Sequence, residues 1–100
     1  MIERGEGCYF WDTRGRKYLD FLAQLFNLNL GHGNLRVIHA IQQQAEKLCA
    51  LNPTFTSEPR AKLGELLAEI TPGDLTKSFL TNSGSEANEM AFQMARMVTG

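Results

Sequence analysis

The amino-acid sequence predicts a mixed α/β fold in which short strands and amphipathic helices follow one another along the chain. Three observations support this class: an aromatic hairpin pattern near the N-terminus, two stretches with helical spacing of apolar residues, and a strand–turn–helix pattern near the C-terminus. The last pattern supplies only one strand of a larger sheet. We therefore expect the chain to be the opening part of an α/β protein.

The N-terminal hairpin is predicted from the segment GCYFWDTRGRKYLDF. Aromatic and apolar residues lie on both sides of Asp12-Thr13-Arg14-Gly15, which has Asp first and Gly last, as a type I turn prefers. Two antiparallel strands are the expected structure. We expect Trp11 and Tyr18 to pack against each other across this hairpin rather than stack on a cofactor.

Two amphipathic helices are predicted in the middle of the chain. Asn34 can cap the first helix, which we expect to run to Leu51 because apolar residues recur at three- and four-residue spacing. The second helix carries an apolar stripe over residues 63–70 and should end at Thr71-Pro72-Gly73. Both helices should bury one face.

The C-terminal pattern begins with Ser78-Phe79-Leu80, which we expect to form a buried strand. Ser83 and Glu86 have the S-x-x-E spacing of a capping box, and an apolar stripe follows on a third helix. A sharp turn at Ser83-Gly84-Ser85 should therefore separate the strand from the helix.

This turn is suited to bind a phosphate group. The first N–H groups of a helix have no intrahelical partner and favour an anion, glycine lets a ligand approach the backbone, and the serine hydroxyls are further donors. Alternatively, Ser83 simply caps its own helix together with Glu86, and no ligand is needed. The spacing alone leaves both interpretations open, although P-loop and dinucleotide-binding motifs are absent.

Composition excludes several other classes of protein. The 100 residues carry a net charge of -1 and are 43% hydrophobic, which is typical of globular proteins. No apolar run reaches the roughly 18 residues of a membrane helix, and charges in the first ten residues argue against a secretory signal, so we expect a cytoplasmic protein. Cys8 and Cys49 lie far apart without metal-site spacing, and the scattered lysines and arginines indicate no nucleic-acid surface.

Four motifs follow one another along the chain: GEGCYFWDTRGRKYLDF, LNLGHG, AIQQQAEKL and FLTNSGSEANEMAFQMAR. In this order they closely resemble the opening of class III pyridoxal-phosphate-dependent aminotransferases of fold type I. The resemblance covers nearly the whole chain. It implies that residues 1–50, a hairpin plus a helix, belong to the small domain of such an enzyme. Residues 51–100 would then begin the large domain that binds pyridoxal phosphate, of which the chain contains only a part.

The resemblance also implies binding residues. In that family the turn that matches Ser83-Gly84-Ser85 holds the cofactor phosphate, mainly through the backbone N–H groups of the last two residues. Phe26 lies where relatives acting on ω-amino acids and simple amines carry an aromatic wall of the substrate pocket, and Leu25 and Gln24 flank it. Packing in the core is the alternative role for Phe26.

The resemblance places no catalytic residue in this chain. The family's Schiff-base lysine, its pyridine-binding aspartate and its carboxylate-binding arginine are all expected beyond residue 100. The four lysines of the chain do not match that lysine's motif: Lys17, Lys47, Lys62 and Lys77. His32 is expected to be a structural, turn-forming residue between two glycines.

The implied activity is transfer of an amino group from an ω-amino acid such as taurine or β-alanine, or from an amine, to pyruvate or 2-oxoglutarate. A homodimer or higher homo-oligomer is the expected assembly of the full-length enzyme, and the 100-residue chain alone should be inactive. Taurine-type relatives often have Gly-Gly-Ala at the Ser83-Gly84-Ser85 turn, whereas acetylornithine-type relatives share the Ser-Gly form. An acetylornithine or ornithine aminotransferase is therefore an alternative, as is a non-catalytic relative or interaction domain.

Overall fold

The computed structural model describes residues 1–100, which divide into two compact units, Met1–Ala50 and Leu51–Gly100. The first unit contains a small antiparallel sheet and helices, and the second unit contains helices. The predicted mixed α/β class is therefore confirmed. That these units belong to the small and large domains of a complete enzyme stays a prediction.

The sheet has three antiparallel strands in the order β1-β2-β3: β1 (Ile2–Glu6), β2 (Tyr9–Asp12) and β3 (Lys17–Leu19). The predicted hairpin is β2–β3, and its turn is closed by a hydrogen bond of 2.9 Å from Gly15 N to the Asp12 carbonyl. Strand β1 was not predicted from the sequence. Its charged residues hide the strand pattern, and its pairing with β2 is irregular between Ile2 and Arg4.

The aromatic pairing within the hairpin differs from our expectation. Tyr18 lies opposite Phe10, and their stacked rings are 5.4 Å apart, whereas Trp11 lies opposite Lys17. The expected Trp11–Tyr18 pair is wrong because this register places the two residues on opposite faces of the sheet. Trp11 instead contacts the Arg4 guanidinium, which lies 3.8 Å from the ring centroid.

Four helical segments follow: α1 (Ala23–Phe26), α2 (Leu35–Lys47), α3 (Glu58–Ile70) and α4 (Gly84–Thr99). The predicted cap of α2 is confirmed, since the Asn34 side chain accepts hydrogen bonds from the backbone N–H groups of Arg36 and Val37. The helix ends before the expected Leu51. Its chain becomes extended at Leu48, whose carbonyl accepts a hydrogen bond from the side chain of Gln44.

Helix α3 begins five residues before Leu63, the first residue of its apolar stripe. Pro59 lies in its first turn, where a missing N–H group is harmless and the fixed φ angle suits a helix. The predicted end is confirmed, because the backbone N–H of Thr71 makes the last helical bond, to the Leu67 carbonyl.

The predicted buried strand at Ser78-Phe79-Leu80 is wrong. The structure has no strand between α3 and α4, and Phe79 and Leu80 are exposed. A strand requires a neighbour that satisfies its backbone N–H and C=O groups, and no segment of this chain pairs with residues 78–80. The apolar run alone therefore does not make a strand here.

Neither unit has a closed hydrophobic core. No hydrophobic side chain is buried, and Asp12 is the one residue that is buried as a whole. The apolar faces of α2, α3 and α4 are thus accessible. No helix in the structure has the length and apolar character needed to span a membrane.

Candidate functional site

The turn before α4 is fixed by a capping box. Ser83 is extended, and its Oγ accepts a hydrogen bond of 3.2 Å from the backbone N–H of Glu86. The Glu86 carboxylate accepts one of 2.9 Å from the backbone N–H of Asn82. The predicted cap is therefore confirmed, with the reciprocal bond made one residue earlier than in the usual motif.

The same turn leaves two backbone donors free. No group in the chain accepts a hydrogen bond from Gly84 N or Ser85 N, and both residues are exposed. A Cβ atom built on Gly84 would have no atom within 4 Å, so this side of the turn is open to a ligand. Free N–H groups at the positive end of a helix dipole fit a phosphate well.

The hydroxyl groups of this turn complement those two donors. Ser83 Oγ accepts from Glu86 but keeps its own O–H for donation, and Ser85 makes no side-chain hydrogen bond within the chain. Capping and phosphate binding are thus compatible, because the cap uses the third N–H of the helix and the free donors are the first two. The residues fit the phosphate of pyridoxal phosphate.

The segment that carries Leu25 and Phe26 has an unusual backbone. All four residues of α1 have positive φ, from 45° at Ala23 to 65° at Phe26, so the segment is a left-handed turn built without glycine. Such a conformation costs about 1–2 kcal/mol per residue and persists only where the surrounding structure enforces it. Strained backbone of this kind is concentrated at functional sites.

The left-handed turn α1 presents its apolar side chains outward. Leu25 is 69% exposed and Phe26 is 76% exposed, so neither contributes to a core in this chain. The structure thus places the two predicted substrate-binding residues next to each other on one exposed turn. Their contact with a substrate stays a prediction.

Asp20, which sequence analysis missed, anchors the left-handed turn α1. Its Oδ1 accepts from Leu22 N at 3.2 Å, and its Oδ2 accepts from Gln24 Nε2 at 3.1 Å and lies 2.7 Å from His32 Nε2. The side chain of Asp20 is only 4% exposed. Hydrogen bonds from Gln24 and His32 lower the pKa of Asp20, against the smaller opposing effect of burial.

His32 connects this anchor to the sheet. Its backbone exchanges hydrogen bonds of 2.9 and 2.8 Å with Gly7. Its ring lies so close to Gly5 that a Cβ at Gly5 would be 2.4 Å from Nδ1. Gly31 has φ 81° and passes close to Gly7, so a side chain there would also clash. These contacts account for His32 as a structural residue, in agreement with the sequence analysis.

A second buried carboxylate stabilises the hairpin turn. Asp12 accepts hydrogen bonds from the backbone N–H groups of Arg14 and Arg16, from Arg16 Nε at 2.7 Å and from the Tyr18 hydroxyl at 3.0 Å. Burial raises the pKa of Asp12, but the bonds from Arg16, Tyr18 and Arg14 together outweigh it and lower the pKa to about 2. This cluster is separate from the left-handed turn α1.

A groove of about 260 Å³ lies between the loop that follows α1 and the start of α2. Its lining residues are apolar or amide-bearing: Asn27, Leu28, Asn29, Leu30, Gly31, Gly33, Asn34, Val37 and Ile38. No titratable side chain lines it, and no cluster of His, Cys, Asp or Glu in the structure could hold a metal ion. The groove therefore contains no side chain that could act as an acid or a base.

Comparison with known proteins identifies the class of this fold. Over 99% of the chain, the structure superimposes with a TM-score of 0.93 and 40% identity on the taurine:2-oxoglutarate aminotransferase of Bifidobacterium kashiwanohense, which was solved with pyridoxal phosphate and glutamate. Over 97% of the chain, it superimposes on an (S)-enantioselective ω-transaminase of Thermomicrobium roseum with a TM-score of 0.91 and 38% identity. The chain thus has the fold of the corresponding part of these transaminases.

The sequence comparisons give the family. The family model of class-III aminotransferases matches residues 1–100. The acetylornithine aminotransferase of Archaeoglobus fulgidus is 40% identical over all 100 residues. The chain belongs to the class-III aminotransferase family, whose members use pyridoxal phosphate. It spans 26% of the length of the Archaeoglobus protein and 22% of each of the two solved chains.

Proposed function

We propose that the full-length protein is a pyridoxal-phosphate-dependent transaminase that moves an amino group from an ω-amino acid or amine to a keto acid such as pyruvate or 2-oxoglutarate. Family membership over the whole chain supports the reaction class. The observation that carries the cofactor proposal is the pair of free, exposed N–H groups at Gly84 and Ser85. When bound, pyridoxal phosphate supplies an electron sink for reactions at the carbon that bears the amino group.

In this proposal Ser83, Gly84 and Ser85 hold the cofactor phosphate. Gly84 N and Ser85 N donate to its oxygens, and a serine hydroxyl adds a further donor. The helix dipole of α4 favours the dianion, and the capping bond from Glu86 N to Ser83 Oγ keeps the turn in place. A phosphate fixed in this way orients the cofactor ring while the reacting groups exchange.

Phe26 and Leu25 form the substrate-side wall in this proposal. Both are apolar, exposed and held on a turn whose conformation is strained, which is the arrangement of a preorganised binding surface. Lacking polar groups, they would select substrates by size and shape rather than take part in proton transfer. The proton-transferring lysine is proposed to lie outside these 100 residues.

The donor is proposed to be an ω-amino acid or amine, supported by the likeness to the taurine and (S)-ω-transaminase structures. An N-acetylornithine-type donor is the second candidate, because the Archaeoglobus relative of that name is 40% identical and the Ser83-Gly84-Ser85 turn has the acetylornithine form. We further propose a cytoplasmic homodimer or higher homo-oligomer, the assembly that the family resemblance implies.

A donor panel tests this proposal. The full-length protein, loaded with pyridoxal phosphate, is assayed with taurine, β-alanine, a simple amine and N-acetylornithine, each against pyruvate and 2-oxoglutarate. We expect turnover with at least one ω-amino acid or amine. Turnover restricted to N-acetylornithine would support the second candidate. No turnover with any pair would contradict the transaminase proposal and favour a non-catalytic member of the family.

A further inference from the structure

We propose that Asp20 is a positioning residue for substrate discrimination: it holds the left-handed turn α1 so that Leu25 and Phe26 face the substrate in one fixed arrangement. This inference rests on the proposed function and adds a residue to which neither the sequence motifs nor the comparisons give a role. Asp20 itself does not touch the substrate in this proposal.

The backbone of α1 is left-handed along its whole length. Four consecutive non-glycine residues with positive φ do not form without an external constraint. The backbone bonds of α1 join it only to the residues directly beside it: Phe26 N to the Leu22 carbonyl, Leu28 N to the Ala23 carbonyl, and Asn27 Nδ2 to the Gln24 carbonyl. Local bonds of this kind are equally available in other turn geometries. The constraint must therefore come from a group outside α1.

Asp20 is that group. One oxygen of its carboxylate binds the backbone at Leu22, just before the turn, and the other binds the side chain of Gln24 inside the turn. The bond to Leu22 N fixes the direction in which the chain enters α1, and the bond to Gln24 fixes the side to which the turn presents its side chains. Gln24 immediately precedes Leu25 and Phe26, so its position sets theirs.

Asp20 is also connected to the sheet, through His32. His32 Nε2 lies 2.7 Å from the oxygen that also accepts from Gln24, and the His32 ring is wedged against Gly5 of β1. The His32 backbone is bonded to Gly7 in both directions. Asp20 therefore joins an exposed, strained turn to hydrogen-bonded backbone, and it does so with a side chain that is 4% exposed.

Substitution of Asp20 by Asn removes this link with little change in size. An amide has one oxygen instead of two, and its NH₂ group cannot accept a hydrogen bond from Gln24 or His32. The bonds from Gln24 and His32 to a charged carboxylate oxygen are lost, and the NH₂ group can pair with these side chains only if the Gln24 amide turns over and His32 changes its tautomer. The turn would then sample other conformations, and Leu25 and Phe26 would no longer be presented in one arrangement.

The test is a double-mutant cycle in the full-length holoenzyme. The ratio of kcat/KM for a bulky amine to kcat/KM for a small amine is measured for the wild type, Asp20→Asn, Phe26→Ala and the double variant. We expect Asp20→Asn to change this ratio by about tenfold, the low end of what one contact in a hydrophobic pocket contributes to discrimination. In the Phe26→Ala background the same substitution should change the ratio much less, because Phe26 is the larger of the two side chains through which it acts.

Two further variants separate positioning from general stability. Asp12→Asn removes another buried carboxylate that makes four hydrogen bonds and does not contact α1. It should lower the melting temperature without changing the amine ratio. Gln24→Leu removes only the exposed hydrogen bond from Gln24 Nε2 to Asp20. If Asp20→Asn does not fold, Gln24→Leu tests the positioning role in its place. The effect of Gln24→Leu on the ratio should also be much smaller in the Phe26→Ala background, which distinguishes it from direct contact between Gln24 and substrate.

The outcomes are distinct. If a folded Asp20→Asn enzyme has the wild-type amine ratio, the positioning role is overturned and the proposed transaminase activity is unaffected. The same holds for Gln24→Leu if Asp20→Asn does not fold. A ratio that shifts equally with and without Phe26 overturns it as well, and so does an unchanged ratio in Phe26→Ala. Absence of transamination in the wild type would instead refute the proposed function on which the inference rests.

Discussion

Replacement of Gly84 by valine should weaken cofactor binding without disturbing the fold. Gly84 is exposed at the first position of α4, and a Cβ there meets no atom of the chain within 4 Å. Its φ is not in the left-handed region, so a valine can adopt the backbone conformation. The new side chain would occupy the space through which a phosphate must approach the free N–H groups of Gly84 and Ser85.

The size of the effect follows from the bonds that are lost. A hydrogen bond to a charged group contributes about 1.5–3 kcal/mol, so loss of one such bond should raise the dissociation constant of pyridoxal phosphate by about tenfold to somewhat more than a hundredfold. The assay is reconstitution of the full-length apoprotein with increasing pyridoxal phosphate, followed by absorbance of the bound cofactor.

Gly64→Val is the matched control for this experiment. Gly64 lies within α3, and a Cβ there also has no atom of the chain within 4 Å, so the same change is made away from the proposed phosphate site. We expect Gly64→Val to retain the wild-type affinity for the cofactor. Wild-type affinity in a folded Gly84→Val protein would refute the assignment, and an equal loss in both variants would show a general effect of valine in these helices.

Three other predictions follow from the same structure. In the full-length enzyme Phe26→Ala should change the specificity ratio between bulky and small amines while the absorption of the bound cofactor is unaltered. An equal effect on every amine would show that Phe26 packs in the core of the full-length protein and does not contact the substrate. The pKa of Asp12 is about 2 in the folded protein and 3.8 ordinarily, so its stabilising contribution should be present above pH 3.8 and be lost as the pH falls towards 2. The stability difference between wild type and Asp12→Asn in urea unfolding should therefore narrow over that range, and a constant difference would contradict the account. The isolated 100-residue chain should bind a hydrophobic dye or self-associate, because no hydrophobic side chain is buried. With pyridoxal phosphate it should transaminate no faster than the free cofactor. An enzyme-level rate that is abolished by changing one of its lysines would place the catalytic lysine inside the chain.

The features that sequence analysis predicted correctly depend on residues close together in the chain. The Asn34 cap, the Ser83–Glu86 capping box and the turn from Asp12 to Gly15 each involve contacts within four residues. Side-chain type and spacing therefore determine them almost alone. The phosphate-binding role of the Ser83-Gly84-Ser85 turn rests on the same local chemistry together with the family resemblance, and it stays a prediction.

The features that it missed depend on distant partners. The segment Ser78-Phe79-Leu80 has the composition of a strand but no neighbour to pair with, and the Trp11–Tyr18 pairing failed because the register between two strands is not a local property. The left-handed turn α1 contradicts the backbone preference of every residue in it. Asp20 gains its role only because folding brings His32, twelve residues later, onto the same oxygen.

The central claim is tested most directly by following the two half-reactions of the full-length holoenzyme through the absorbance of its bound cofactor. Addition of an amine donor alone should change the absorbance of the bound cofactor in a single turnover and release one carbonyl product. Later addition of pyruvate or 2-oxoglutarate should restore the original absorbance and release one amino acid. This result would show that the protein carrying the Ser83-Gly84-Ser85 turn stores and returns an amino group. A spectrum that no amine changes, or one that no keto acid restores, would contradict the account.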